Sequence, residues 1–306
     1  MRTVLRSLLV AGVFVAAALP LAADEGMWMP QQIPDLARRL RAMGFEGDPS
    51  AFSDLTGQPM GAIVSLGGCT ASFVSPEGLI VTNHHCVQGS LQYNSTPQKN
   101  LLVDGYLAKT REEELSNGPG SRVFVTVFVN EVTDAMTGRI DPKLDDRRRF
   151  DLVERRTKER VAACEAGGLR CRVDSFFGGL RYFEIAQVEI QDVRLVYAPA
   201  QGIGNFGGET DNWRWPRHTG DFAFYRAYVG RDGKPAPFST DNVPYKPAHW
   251  LPVQPAGVRE GDLVFVVGYP GRTQRHQTYG EVKETTEWAF PRFVRSAEEQ
   301  IAILEA

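Results

Sequence analysis

The chain has 306 residues, 42% of them hydrophobic and 23% charged, with a formal net charge of -3. That length allows two ordinary domains and a sizeable core, and the composition is that of a globular protein, not a fibrous or disordered one. The slight negative charge gives no support for nucleic acid or an anionic membrane as a partner, and neither is expected.

The amino-terminal residues read as an export signal outside the fold. Arg2 and Arg6 form a basic start, residues 8–21 are an apolar run too short for a membrane span, and "LAAD" closes the run with small residues. Cleavage is expected after Ala23, so 1–23 is a signal peptide and the mature chain has no membrane span. Two separated arginines fit general secretion and not the twin-arginine route.

A short helix is expected from Pro34, with Leu36, Leu40 and Met43 at helical spacing and Gly44 as its stop. The texture then changes to strands and turns. "AIVSL", "TASFV" and "LIVT" are separated by Gly67-Gly68 and by the Ser75–Gly78 turn, and "RVFVTVFV" is a further β-rich run. Residues 142–166 are charged and helical, closed by Gly167-Gly168, and read as a helical insertion between strands. "YFEIAQVEIQDVRLVYA" alternates well enough for two strands, "DFAFYRAYV" and "DLVFVVGYP" for one each, and residues 280–306 are mostly helical. Many short strands with one helical insertion suggest an antiparallel barrel or sandwich; the helices that a parallel βαβ sheet needs between strands are missing.

Export also sets how the cysteines read. Cys69, Cys86, Cys164 and Cys171 are an even set, and disulfides are the default outside the cytosol. Three pairings are possible; proximity favours Cys69 with Cys86 and Cys164 with Cys171. Zinc is disfavoured, because there is no CxxC and adjacent His84, His85 and Cys86 cannot all aim at one ion from an extended backbone. No metal or cofactor is expected.

The stretch "TNHHC" carries the chemistry. A histidine after a strand and beside a half-cystine is held in place, as a general base must be, and on an extended backbone His84 points the other way from His85. "GCTASFVSPEGLIVTNHHC", with Cys69 seventeen positions before Cys86, resembles the first barrel of chymotrypsin-like serine peptidases. That resemblance makes His85 the base and implies an orienting aspartate opening a D-x-A strand, which "TGDFAFYRAYV" supplies as Asp221. A rival pattern, Gly202-x-Gly204-x-x-Gly207 with Asp221 beyond it, outlines a dinucleotide fingerprint. It lacks the helix that would receive the pyrophosphate, so the glycines read as a tight loop approaching a ligand or another loop.

Four stretches together, "DEGMWMPQQIP", the Cys69–Cys86 segment, "GGETDNWRWPRHTGDFAFYRAY" and "VVGYPGRT", resemble the bacterial dipeptidyl-peptidase 7 and 11 family. The resemblance implies a periplasmic serine exopeptidase, usually homodimeric, that acts on peptides with a free amino terminus. It implies a mainly β, chymotrypsin-like double β-barrel with an inserted α-helical domain. On this chain that gives an N-terminal segment and first barrel over 24–248, the first strands of the second barrel over 249–279, and the start of the helical domain over 280–306. Asn212 and Trp213 match the residues that hold the substrate's amino terminus; an amide oxygen accepts from an ammonium group, and an indole can wall the pocket. The family's nucleophile lies in a Gly-rich "GNSG"-like turn, and no serine here has a Gly-x-Ser-Gly context. The expectation is therefore an amino-terminal part of a larger enzyme. A trypsin-like periplasmic endopeptidase and a catalytically dead peptide-binding module are the alternatives.

Overall fold

The computed structural model describes residues 28–207, 219–270 and 277–306, so the expected signal peptide lies outside the described residues. One antiparallel sheet organises the chain. Its strands are β1 (Ile63–Ser65), β2 (Thr70–Phe73), β3 (Leu79–Thr82), β4 (Tyr106–Leu107), β5 (Leu115–Ser116), β6 (Val123–Glu131), β7 (Arg170–Phe176), β8 (Arg181–Ile190), β9 (Asp192–Ala198), β10 (Ala223–Val229) and β11 (Val243–Pro244). They lie in the order β4-β9-β10-β3-β2-β1-β6-β8-β7, with β11 beside β10 and β5 beside β9.

Alternation decides which face is buried. Ala71 and Phe73 of β2, Ile80 of β3, and Ala223, Tyr225 and Ala227 of β10 all point into one core with Val64, Leu91, Leu195 and Ile190. The buried charges come in pairs. Arg194 donates to Asp192 Oδ2 at 2.7 Å and lies between the rings of Tyr228 and Phe238, 3.8 and 4.8 Å from their centroids. Glu114 accepts from Arg226 at 2.9 Å and from the Tyr228 hydroxyl at 2.8 Å. A buried charge without such partners would be strongly destabilising.

The insertion expected over 142–166 is a helix, Asp146–Glu165, started by Asp145, whose side chain accepts from the Arg148 amide. None of its residues is buried. It is held to the sheet by Arg160–Glu184 at 3.0 Å, and to the short helix Thr133–Thr137 by Arg156, which donates to the Met136 and Gly138 carbonyls. The Cys164–Cys171 disulfide then ties its end to β7.

Two segments differ from the local pattern. β7, "RCRVDSF", was not expected as a strand, and it forms because β8 pairs with it along its whole length. The reverse holds for "DLVFVVGYP", which carries no strand pairing among the described residues; Val264 is 58% and Val266 fully exposed. The segment is fastened at separate points instead. Phe265 packs on Phe45 and Phe52, and the Tyr269 amide donates to Thr70 Oγ1 at 2.8 Å. The last residues are helical as expected, over Tyr279–Glu284 and Phe290–Glu305, and none of these residues is buried. No helix among the described residues is long and apolar enough to cross a membrane.

Candidate active site

β3 ends at Thr82, and the chain turns at once into a 3-10 helix, His84–Val87. Successive side chains of such a turn diverge by about 120°. His84 is accordingly fully buried while the His85 side chain is 62% exposed. The divergence expected of an extended backbone is thus present, produced by a tight turn. The Cys69–Cys86 disulfide ties this turn to the start of β2, and Thr82 Oγ1 donates to the Thr70 carbonyl at 2.9 Å.

Strand register brings the aspartate in. Ala223 of β10 pairs with Thr82 of β3. Because the strands are antiparallel, two residues before Ala223 meets two residues after Thr82, which places Asp221 beside the histidine pair. His85 Nδ1 lies 2.8 Å from Asp221 Oδ2, and the His85 amide donates to Oδ1 at 3.0 Å. Asn83 Nδ2 donates to the same Oδ2 at 3.1 Å and to the Asp221 carbonyl at 3.2 Å. Burial pushes the Asp221 carboxyl up, but the donors of His85 and Asn83 and the attraction of His85 outweigh it, so the group is held below its ordinary value. An ionised carboxylate on Nδ1 makes Nδ1 the donor and leaves Nε2 as the free acceptor, the arrangement a general base requires.

His84 supports the aspartate's side of the pair. Its ring lies against Gly204, where an added Cβ would sit 2.3 Å from His84 Cγ. Burial pushes the His84 imidazole down, against the opposing pull of Asp221 and the Pro199 carbonyl, so it is held as a neutral ring. The Gly204 carbonyl accepts from Thr219 Oγ1 at 2.9 Å, and the Ile203 carbonyl from the Gly220 amide at 2.8 Å. Ile203–Gly204 and Thr219–Gly220 are therefore fastened to each other, with Gly204 against the His84 ring and Gly220 directly before Asp221.

Cys69, His85 and Cys86 bring one potential ligand atom each within 4.8 Å of one another. The two sulfurs are bonded to each other, so no thiolate is available to a metal there. Asn212 and Trp213 lie outside the described residues.

The profile of the Peptidase S46 family matches residues 23–306. The chain belongs to the peptidase S46 family. Within that family it is 45% identical over 285 residues to an Asp/Glu-specific dipeptidyl-peptidase of Shewanella putrefaciens, covering 93% of this chain and 39% of that protein. It is 37% identical over 304 residues to dipeptidyl-peptidase 7 of Capnocytophaga gingivalis, covering 97% of this chain and 42% of that one. The crystal structure of Porphyromonas endodontalis DPP11 in complex with substrate superposes with a TM-score of 0.75 at 39% identity, over 86% of this chain and 40% of that chain. The chain thus spans about two-fifths of the length of the S46 peptidases it matches. The same enzyme in an alternate conformation superposes with a TM-score of 0.76, over 93% of this chain.

One residue of this candidate site escaped the sequence reading. Asn83 stands in "TNHHC" with nothing to distinguish it from a turn asparagine, and only the β3–β10 register shows its amide donating to the Asp221 carboxylate. The glycines of 202–207 read as a close approach; Gly204 makes it, against the ring of His84, while Gly202 faces open space.

Proposed function

We propose that this chain is the part of a serine-type dipeptidyl-peptidase that carries the base and its orienting carboxylate, and that the full enzyme releases dipeptides from the free amino terminus of peptides. The observation that carries the reading is the 2.8 Å contact between His85 Nδ1 and Asp221 Oδ2, made by an exposed imidazole. His85 Nε2 takes the proton of a serine hydroxyl, the serine oxygen adds to the scissile carbonyl, and His85 returns the proton to the departing amine. Asp221 holds the ring in the productive tautomer and stabilises the imidazolium.

None of the serines in these 306 residues stands in a Gly-x-Ser-Gly turn, so the nucleophile comes from further sequence of the enzyme. The share of the relatives' length spanned here supports that division. The same reading makes the described sheet the first barrel of a chymotrypsin-like pair. It takes 249–279 as the opening of the second barrel, where exposed Val264 and Val266 await partners, and 280–306 as the start of the inserted helical domain. Asn212 and Trp213 hold the substrate's ammonium group, the enzyme acts in the periplasm, and it is a homodimer.

The test compares a dipeptidyl substrate with its amino-acetylated form on the full-length enzyme. The free-amino form should be cleaved and the acetylated form spared, and Asn212→Ala should lose roughly 1–3 kcal/mol in kcat/KM on the free-amino form. The 306-residue chain by itself should turn over neither. Equal cleavage of both substrates by the wild type would replace the exopeptidase reading with an endopeptidase one.

A further inference from the structure

Asn83 stands where β3 ends and the histidine turn begins. It directly precedes the 3-10 helix His84–Val87, with an extended backbone at φ -78 and ψ 151. An asparagine at that place ordinarily turns its side-chain oxygen onto an amide two or three residues further on and caps the helix. Asn83 makes no such bond. Its backbone carbonyl accepts from the Cys86 amide at 3.2 Å, and its side chain reaches across to Asp221 instead.

There Nδ2 donates twice, to Asp221 Oδ2 at 3.1 Å and to the Asp221 carbonyl at 3.2 Å. A carboxylate and a carbonyl only accept, so the NH2 end of the amide must face them, and both of its hydrogens are used. One planar group thereby ties the carboxylate to its own main chain. The other two donors to that carboxylate among the described residues both belong to His85, through Nδ1 and the backbone amide. Without Asn83, the orienting group would be held only by the residue it has to orient. Asn83 is itself fixed from outside the contact. Thr82 before it pairs with Ala223, and the Cys69–Cys86 disulfide closes the turn after it.

We propose that Asn83 is a positioning residue for the reaction: it holds the Asp221 carboxylate in line with His85 Nδ1, and through that contact keeps Nε2 as the proton acceptor. The inference rests on the dipeptidyl-peptidase reading of His85 and Asp221. Burial pushes the Asp221 carboxyl up, and the donors of His85 and Asn83 together bring it below its ordinary value, so Asn83 also helps keep the orienter charged.

The experiment measures kcat and KM of the full-length enzyme on a free-amino dipeptidyl substrate at neutral pH, with urea unfolding to check that each variant folds. The variants are Asn83→Ala, Asn83→Asp, Asp221→Asn and the double variant Asn83→Ala with Asp221→Asn. Asn83→Ala should lose about tenfold in kcat with KM changed less than about twofold, because it loosens the orienter and touches no substrate. Asn83→Asp keeps the shape but sets a second carboxylate against Asp221 Oδ2, so it should lose more, about a hundredfold. In the Asp221→Asn background Asn83 has no carboxylate to hold, and Asn83→Ala should cost less than about twofold further. A residue that only filled the turn would give the opposite order, with Asn83→Asp close to wild type, and its loss would add in full to that of Asp221→Asn. Either of those results, or an unchanged kcat in folded Asn83→Ala, would overturn the proposal. A folded Asp221→Asn variant as active as wild type would instead remove the reading of the His85–Asp221 contact on which the proposal stands.

Discussion

Asp221→Asn isolates the orienting role with the smallest change of shape. The asparagine keeps one oxygen, which can still accept from the His85 amide now 3.0 Å from Oδ1. At the other position an NH2 replaces Oδ2, which lies 3.1 Å from Asn83 Nδ2 and 2.8 Å from His85 Nδ1. Two donors then face a third donor where an acceptor had stood. The contact with His85 recovers only if Nδ1 becomes the acceptor, and the proton then sits on Nε2, where no base remains. Loss of the productive tautomer in a Ser-His-Asp arrangement costs about 10⁴-fold in kcat. The substitution also removes charge-assisted hydrogen bonds at a carboxylate whose side chain is 25% exposed, for roughly 1–2 kcal/mol of stability. The assay is kcat of the full-length variant on a free-amino dipeptidyl substrate, with urea unfolding in parallel. The pH dependence carries a definite sign. The native carboxyl titrates below its ordinary 3.8, so its contribution is fully present above that value and is lost as pH falls through the lowered native one. Asp221→Asn should flatten that acid limb of stability. A folded variant with less than a tenfold loss of kcat would refute the role given to Asp221.

The Cys69–Cys86 disulfide closes a separation of 17 residues and Cys164–Cys171 one of 7, so reduction should cost about 3 and about 2 kcal/mol on loop-closure entropy. Urea unfolding with and without reductant measures the loss, and free thiols at these positions in non-reduced protein would remove the basis for it. Gly204→Ala should lower stability by about 1–3 kcal/mol by forcing a methyl into the His84 ring, and reduce kcat by disturbing the segment that leads to Asp221. A variant as stable and active as wild type would show that the ring has room to move.

The two ends of the His85–Asp221 contact were legible because their signal is local. "TNHHC" after an apolar run and "GDFAF" opening an alternating one each combine a reactive side chain with the strand that holds it. Alternation also shows which residues of β2, β3 and β10 face inward, because side chains on a strand change face at every step. The proximity of the cysteines indicated both disulfides.

What the local pattern records is a face, not a partner. "DLVFVVGYP" has the composition of a strand and no pairing among the described residues, while "RCRVDSF" looks polar and pairs along its whole length with β8. A strand's hydrogen bonds are made to another segment, and the identity of that segment is a long-range fact. The same reason separates His85 and Asp221 from Asn83. The sequence alone determined which residue types stand at the ends of β3 and β10. Only the antiparallel register of Thr82 with Ala223 decided that Asn83, His85 and Asp221 meet, and only packing decided that His84 turns inward to seat Gly204.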